Sequence, residues 1–265
     1  MVLGTLGDNR PLHAPVSKTP APLDAAEFAR LKLGFEPDEK QAAVLRSTAQ
    51  RGILNCSRQW GKSTVAAARA VHRAWFRPES LVLVASPGER QSAEFLRKAE
   101  AMVRRLDVTP RGDGDNAISI AFPNGSRIVG LPGTEGTVRG FSAVSMLLID
   151  EAARVEDAMY MALRPMLAVG SGDLWMMSTP CGRRGFFYET WRHEKHWEKF
   201  SVPATECPRI DRAFLEEERG AMGPLWFAQE YLCEFVDNGT TLFDRDLVEA
   251  MVDESVEPLF TAERP

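Results

Sequence analysis

The fold is decided by one stretch near the start of the chain, which reads Ile53-Leu54-Asn55-Cys56-Ser57-Arg58-Gln59-Trp60-Gly61-Lys62-Ser63-Thr64. A short apolar run stops at a polar loop, and an Ala-rich segment that continues to Trp75 follows the loop. This order predicts a strand, a phosphate-binding loop and a helix. Backbone N–H groups of such a loop, together with the positive end of the helix dipole, favour phosphate groups.

The residues from Cys56 to Ser63 fit the pattern G-x-x-x-x-G-K-[ST] of P-loop NTPases except at the first position. That position is Cys56, whereas a Gly there normally permits a positive φ, so the loop must turn differently. Lys62 is expected to reach the β- and γ-phosphates, and the Ser63 hydroxyl is expected to bind Mg²⁺. The predicted nucleotide-binding residues of the loop are Ser57, Arg58, Gln59, Gly61, Lys62, Ser63 and Thr64.

The composition bounds the class of protein. The chain has 265 residues, 44% of them apolar, which fits one large α/β domain with a sizeable core. Its net charge of −5 does not indicate a uniformly basic coat for nucleic acid, and a local basic patch is compatible with it. No apolar run approaches the length of a membrane span, and the four cysteines are scattered without a CxxC spacing.

Two later apolar runs end in residues that suit phosphate chemistry. The apolar run at residues 144–149 is followed directly by Asp150 and Glu151, which is the Walker B pattern. Asp150 would help to hold Mg²⁺, and Glu151 would orient and deprotonate the attacking water. Residues 173–178 lead into Ser178-Thr179, a hydroxyl pair placed to sense the γ-phosphate. Since ligands of such sheets lie at the carboxyl ends of strands, these stretches are expected to meet.

A segment upstream of the loop offers a contact for the base. Phe35 is followed by Pro37, which suits the first turn of a helix, and by Gln41 on that helix. The Gln41 amide can both donate to and accept from an adenine edge. The alternative for Gln41 is a solvated position on the helix surface.

The elements together predict an α/β fold of the P-loop NTPase (RecA/ASCE-like) type, with a mainly parallel sheet flanked by helices and a small C-terminal helical lid. A hairpin is expected at 118–122 and 127–131, an edge strand at 197–202, and helices at 24–33, 189–196, 211–220, 224–235 and 243–252. The predicted divisions are an N-terminal arm and lead-in helix (1–34), the P-loop ATPase core (35–205) and a helical lid or linker (206–265).

With these residues assembled, the chain resembles the ATPase domain of the large terminase subunit of tailed bacteriophages. The resemblance covers about residues 35–236 and rests on several motifs in order. These are the deviant Walker A at 57–64 with its Arg58, the Walker B at 147–153, the coupling motif at 178–182, and the segments 185–188 and 229–235. Arg139 matches the place of a trans-acting arginine that lies before Walker B in some members.

The resemblance implies an ATP- and Mg²⁺-dependent motor that drives double-stranded DNA into the procapsid. It implies portal protein and small terminase subunit as partners, and a homo-oligomeric ring on the procapsid, with a monomer as the alternative for the isolated chain. It also implies no membrane, and the cytoplasm of the infected bacterial host cell. Arg139, in trans, and Arg58, in cis, are the two candidates for offsetting charge in the transition state.

The resemblance also has a departure. A complete large terminase continues into a nuclease domain, and this sequence ends about 30 residues after Phe235. We therefore expect the ATPase part alone and no DNA cleavage. The alternatives to a DNA-packaging motor are a superfamily 2 helicase-like ATPase and a nucleotide-regulated, non-hydrolysing DNA-binding or scaffold protein.

Overall fold

A sheet of seven strands runs through the part of the chain that the computed structural model describes, which is residues 23–131, 140–237 and 251. The strands are Arg51–Cys56 (β1), Leu81–Ala85 (β2), Ser119–Ala121 (β3), Arg127–Gly130 (β4), Met146–Asp150 (β5), Asp173–Ser178 (β6) and Glu198–Val202 (β7). Their order in the sheet is β3-β4-β2-β5-β6-β1-β7. Only the β3–β4 pair is antiparallel among these described strands, so the predicted mainly parallel sheet is confirmed.

Helices cover both faces of this sheet. They are Ala25–Lys32 (α1), Glu39–Arg46 (α2), Lys62–Phe76 (α3), Glu89–Arg104 (α4), Asp157–Leu163 (α5), Gly185–His193 (α6), Arg212–Met222 (α7) and Pro224–Leu232 (α8). Short 3₁₀ turns lie at Ala152–Arg154, Arg164–Leu167 and Ala204–Glu206. None of the described helices has the length and apolarity that crossing a bilayer requires.

The core consists of two apolar layers because side chains alternate along each buried strand. Leu54 and Val82 belong to the layer under α1–α4, whereas their neighbours Ile53 and Leu83 belong to the layer under α5 and α6. The Ala-rich sequence of α3 places small side chains against the sheet. A third, small apolar cluster packs α7 and α8 on the turn at Ala204–Glu206.

Most predicted elements appear close to their expected positions. The hairpin of β3 and β4, the edge strand β7 and the lead-in helix α1 are confirmed. Helix α6 begins four residues earlier than predicted, at Gly185, where the Asp157 carboxylate accepts from the Phe186 N–H at 2.9 Å. The arm at 1–22 and nearly all of the helix predicted at 243–252 lie outside the described residues.

The aromatic residues of the segment 224–235 are divided between core and surface. Phe227 and Tyr231 are buried in the third cluster, and Phe235 packs on the layer under α6. Trp226 is 60% exposed, so not all of these aromatic side chains lie in the core.

The P-loop strand is fixed to its neighbour by a close glycine contact. A Cβ added to Gly52 would lie 2.5 Å from Cδ2 of Trp175 on β6. The Trp175 ring has little room to move away from β1, because the guanidinium of Arg69, a residue of α3, lies 3.9 Å from the ring centroid. Gly52 therefore permits β1 and β6 to pair in the register that brings their ends together.

Gly52→Ala is expected to lower the free energy of unfolding by about 1–3 kcal/mol, the usual cost of overpacking a core. For a chain of this size each kcal/mol shifts Tm by roughly 2–4 °C. Thermal unfolding followed by circular dichroism measures the shift. The control is Gly220→Ala in α7, where an added Cβ meets nothing within 4 Å, and which is expected to raise stability by ~0.5–1 kcal/mol. A Gly52→Ala protein as stable as the parent would contradict this account.

Candidate active site

The carboxyl ends of β1, β5 and β6 meet at one edge of the sheet. The strand register pairs Asn55 with Ser178 and Asp150 with Met177, so the end of the Walker B strand and the Ser178-Thr179 pair lie beside the P-loop strand. The three stretches that the sequence analysis expected to converge therefore do converge.

The loop between β1 and α3 turns at two residues in the left-handed region. Gln59 has φ 64° and Gly61 has φ 96°, whereas Cys56 is the buried last residue of β1. The absence of a Gly at the first motif position is thus accommodated, because the required turn falls at Gln59. A side chain at Gly61 would also approach Gln41 Nε2 at 3.0 Å.

Three other parts of the chain hold this loop in place. The Ser57 N–H donates to the Val202 carbonyl at 3.0 Å, and the Arg58 N–H donates to the Glu230 carbonyl at 3.2 Å. Arg209 Nη2 donates to the Trp60 carbonyl at 2.6 Å. The buried Ser57 hydroxyl has no hydrogen-bond partner among the described residues, which is what a loop that hydrogen-bonds a ligand would leave.

Gln41 supports the loop from α2. Its Oε1 accepts from the Asp38 N–H at 3.0 Å in a capping box, and its Nε2 donates to the Trp60 carbonyl at 2.8 Å. The side chain is buried, at 2% exposure, so the solvated alternative for Gln41 is wrong. Its contact with adenine stays a prediction. The second lone pair of Oε1 and the second N–H of Nε2 would be the groups that contact the base.

Lys62 lies between Glu151, which follows β5, and Thr179, which follows β6. Its Nζ is 3.1 Å from Glu151 Oε1 and donates to Thr179 Oγ1 at 3.2 Å. The side chain is largely buried, and Glu151 itself adopts a left-handed backbone conformation, with φ 51°, directly after β5. The positive φ turns the chain sharply at Glu151, where the strand gives way to the turn at Ala152–Arg154.

Ser63 and Asp150 form the pair that suits a divalent cation. Ser63 Oγ donates to Asp150 Oδ2 at 2.9 Å. Burial and the neighbouring Glu151 charge raise the pKa of Asp150, while Lys62 and the Ser63 hydroxyl oppose this shift. The described residues contain no cluster of three or more His, Cys, Asp or Glu side chains that could hold a metal alone. Two hard oxygen ligands are nevertheless enough for Mg²⁺, which usually keeps waters and phosphate oxygens in its shell.

The remaining predicted residues divide into those beside the site and those not described. Thr64 lies in the first turn of α3, where its N–H donates to the Gly61 carbonyl at 3.0 Å. Ser178 Oγ donates to the Thr179 carbonyl at 2.7 Å. The Arg58 side chain is paired with the Glu230 carboxylate. Arg139 lies outside the described residues.

Besides Arg209, which holds the loop at Trp60, two charged residues of this site were not predicted from the sequence. Arg154 donates to Glu151 Oε2 at 3.2 Å, and Glu230 of α8 lies between Arg154 and Arg58. Arg154 stands three residues after Glu151, a spacing that places it on the following turn. Glu230 belongs to the segment 229–235, which carries part of the family resemblance but has no predicted role.

The family model that matches this chain is described as terminase large subunit, T4likevirus-type, N-terminal, and it covers residues 53–250. The chain belongs to this family. The predicted family resemblance is therefore confirmed.

Individual relatives agree with the family assignment. The large terminase subunit of Thermus virus P23-45 is 28% identical over 247 residues, which cover 80% of this chain and 51% of that protein. The large terminase ATPase domain of Thermus phage P74-26 superposes with a TM-score of 0.70 at 26% identity, covering 81% of this chain and 99% of that one. The large terminase of a thermophilic bacteriophage, solved in complex with ADP, superposes with a TM-score of 0.62 at 15% identity over 76% of this chain and 54% of that one.

Two consequences follow for the predicted fold and function. The P-loop NTPase type of fold is confirmed, since the sheet and its helices match large terminase ATPase domains. Membership of the terminase family replaces the superfamily 2 helicase-like alternative. The chain spans about half the length of the large terminase subunit it matches in Thermus virus P23-45.

Proposed function

We propose that this chain is the ATP-hydrolysing domain of a viral large terminase subunit. The observation that carries the proposal is the contact set of Lys62, Ser63, Asp150, Glu151 and Thr179 at the carboxyl edge of the sheet. A phosphate-binding lysine, a hydroxyl–carboxylate pair and a carboxylate base are the parts that phosphoryl transfer to water requires. The ADP-bound terminase from a thermophilic bacteriophage supports nucleotide as the ligand.

The reaction follows from the roles of these residues. Loop N–H groups and the N-terminus of α3 hold the phosphates, and Lys62 turns from Glu151 to the β- and γ-oxygens. Glu151, released from Lys62, takes the proton of the attacking water. Ser63 and Asp150 would hold Mg²⁺, which neutralises charge on the phosphates when it is bound. Thr179, whose hydroxyl accepts from Lys62, changes its hydrogen-bond partner when the γ-phosphate leaves.

We propose further that hydrolysis drives double-stranded DNA into a procapsid. Membership of the terminase large subunit family supports a role in phage DNA packaging. The portal protein and the small terminase subunit as partners, and the host cytoplasm as the location, are proposed together with this role. The division into arm and lead-in helix (1–34), core (35–205) and lid (206–265) remains part of the proposal. The cluster of α7 and α8 includes Ala204, two residues before the proposed lid. No DNA cleavage is expected from these residues.

The experiment is steady-state ATP turnover of the chain, with Mg²⁺ and after chelation with EDTA, over a series of protein concentrations. We expect turnover that EDTA abolishes. The absence of Mg²⁺-dependent turnover at every concentration would overturn the proposal and favour the non-hydrolysing alternative. If turnover per chain rises with concentration, subunits complete each other's sites, as Arg139 acting in trans requires. If it stays constant and nonzero, Arg58 is the arginine that acts.

A further inference from the structure

Five charged side chains of alternating sign form a continuous series across the candidate site. Lys62 contacts Glu151, Glu151 contacts Arg154, Arg154 contacts Glu230, and Glu230 contacts Arg58. The series begins in the P-loop helix, passes the end of the Walker B strand and the lid helix α8, and returns to the P-loop. Lys62, Glu151 and Arg58 have roles in the proposed function, whereas Arg154 and Glu230 have none.

Arg154 is the partner that Glu151 retains when nucleotide binds. The two carboxylate oxygens of Glu151 are divided between Lys62, at 3.1 Å from Oε1, and Arg154, at 3.2 Å from Oε2. Phosphate takes Lys62 away from Oε1 in the proposed reaction. Among the described residues, Arg154 is then the cation still in place to hold the carboxylate, because its contact is with the other oxygen.

Glu230 is a buried carboxylate whose position depends on its cations. Its side chain is only 6% exposed, and a buried charge of this kind must be paired and hydrogen-bonded. Arg58 binds one oxygen; Arg154 Nη2, at 3.5 Å, and Gln229 Nε2, at 3.3 Å, approach the other. Arg154 Nη1 also reaches the Thr179 carbonyl at 3.4 Å, so one guanidinium contacts the base, the coupling motif and the lid.

Backbone carbonyls of α8 and of its C-terminal cap also bind the loop and the end of β1. The Glu230 carbonyl accepts from the Arg58 N–H, and the Cys233 carbonyl accepts from Asn55 Nδ2 at 2.8 Å. A shift of α8 therefore moves Glu230 relative to Arg154. Because Arg154 also contacts Glu151, the shift changes the position of the residue that orients Glu151.

We propose that Arg154 is a positioning residue that holds Glu151 for attack by water, and that Glu230 connects this position to the lid helix α8. The inference rests on the proposed function, in which Glu151 is the base. Arg154 acts through Glu151 and does not touch the phosphates. Misplacing a catalytic group by about 1 Å can cost on the order of 10²-fold in rate, so loss of Arg154 affects the chemical step and leaves binding intact.

The test compares Arg154→Gln with the parent chain in ATP turnover and in titrations of ADP and ATPγS. We expect kcat to fall about 10- to 100-fold, with KM and both nucleotide affinities within about twofold of the parent. Retained ADP affinity shows that the variant is folded. Arg154→Lys keeps the charge with a single contact and is expected to restore part of kcat, which a mere packing defect would not. Arg164→Gln, an exposed arginine ten residues later, is the control and should behave as the parent.

A double-mutant cycle tests the connection to α8. Glu230→Gln is expected to lower kcat by itself, and Arg154→Gln/Glu230→Gln is expected to be no slower than Arg154→Gln, because both act along one path. Multiplicative losses in the double variant would overturn the role of Glu230.

Two further results would overturn the role of Arg154. One is an unchanged kcat in Arg154→Gln. The other is a weaker affinity for ATPγS with an unchanged affinity for ADP, because Arg154 would then bind the γ-phosphate directly. A parent chain without turnover would overturn the proposed function and this inference with it, whereas an active parent and an equally active Arg154→Gln would overturn the inference alone.

Discussion

Replacing Lys62 by methionine is expected to lower ATP turnover by about 10²–10³-fold in kcat/KM, the range in which loss of one preorganised donor to a developing charge falls. Methionine keeps most of the aliphatic stem and removes the ammonium. The Lys62 Nζ lies where it already contacts Glu151 and Thr179, so it needs only a small movement to reach a phosphate bound at the N-terminus of α3.

The loss should appear in nucleotide affinity as well as in kcat. Lys62 holds the phosphates in the ground state and in the transition state, so its removal weakens both. Steady-state turnover together with titration of a fluorescent ADP analogue separates the two effects. The fold should survive, because Glu151 keeps its contact with Arg154 when Lys62 is gone.

Lys195→Met is the matched control for this change. Lys195 is exposed in the segment between α6 and β7, so the same loss of charge there should leave turnover within about twofold of the parent. A Lys62→Met chain that hydrolyses ATP as fast as the Lys195→Met chain would remove Lys62 from the phosphate site. It would also remove the main support for nucleotide binding at this loop.

The sequence predicted the parts of the site that are local in the chain. The order of strand, loop and helix placed Lys62 and Ser63, and the two acids after β5 placed Asp150 and Glu151, because the chemistry of each motif lies within a few neighbouring residues. Parallel strands then had to bring these motifs to one edge. The turn at Gln59 was not predictable in this way, because a positive φ at a non-glycine residue leaves no mark in the composition.

Contacts between distant segments were beyond the sequence pattern. Glu230 lies more than 70 residues after Arg154, and only the packing of α8 beside the loop brings the two together. The sequence predicts Gln41 as a base contact, whereas its amide also caps α2 and donates to the Trp60 carbonyl. An amide can serve either use, so its residue type alone does not decide between them.

Replacing Glu151 by glutamine is expected to lower kcat by about 10²–10⁴-fold, the usual contribution of a general base. Glutamine has nearly the same shape, and its carbonyl oxygen can still accept from Arg154. It cannot take a proton from water at neutral pH, so the defect should be confined to the chemical step.

Nucleotide affinity is expected to move in the opposite direction. In the parent chain the Glu151 carboxylate holds Lys62 at 3.1 Å, and this contact competes with phosphate for the ammonium. The neutral glutamine competes less, so Glu151→Gln should bind ATP at least as tightly as the parent. Single-turnover kinetics with titration of ATP and ADP measure the rate and the affinity separately.

The matched control for this change is Glu156→Gln. Glu156 is an exposed glutamate at the start of α5, and its side chain makes no capping hydrogen bond, so the same substitution there should leave kcat and affinity as in the parent. Equal kcat values in Glu151→Gln and Glu156→Gln would show that another group activates the water. A slow Glu151→Gln chain that also binds ATP poorly would mean that Glu151 supports the binding site, and the competition between Glu151 and phosphate for Lys62 would be wrong.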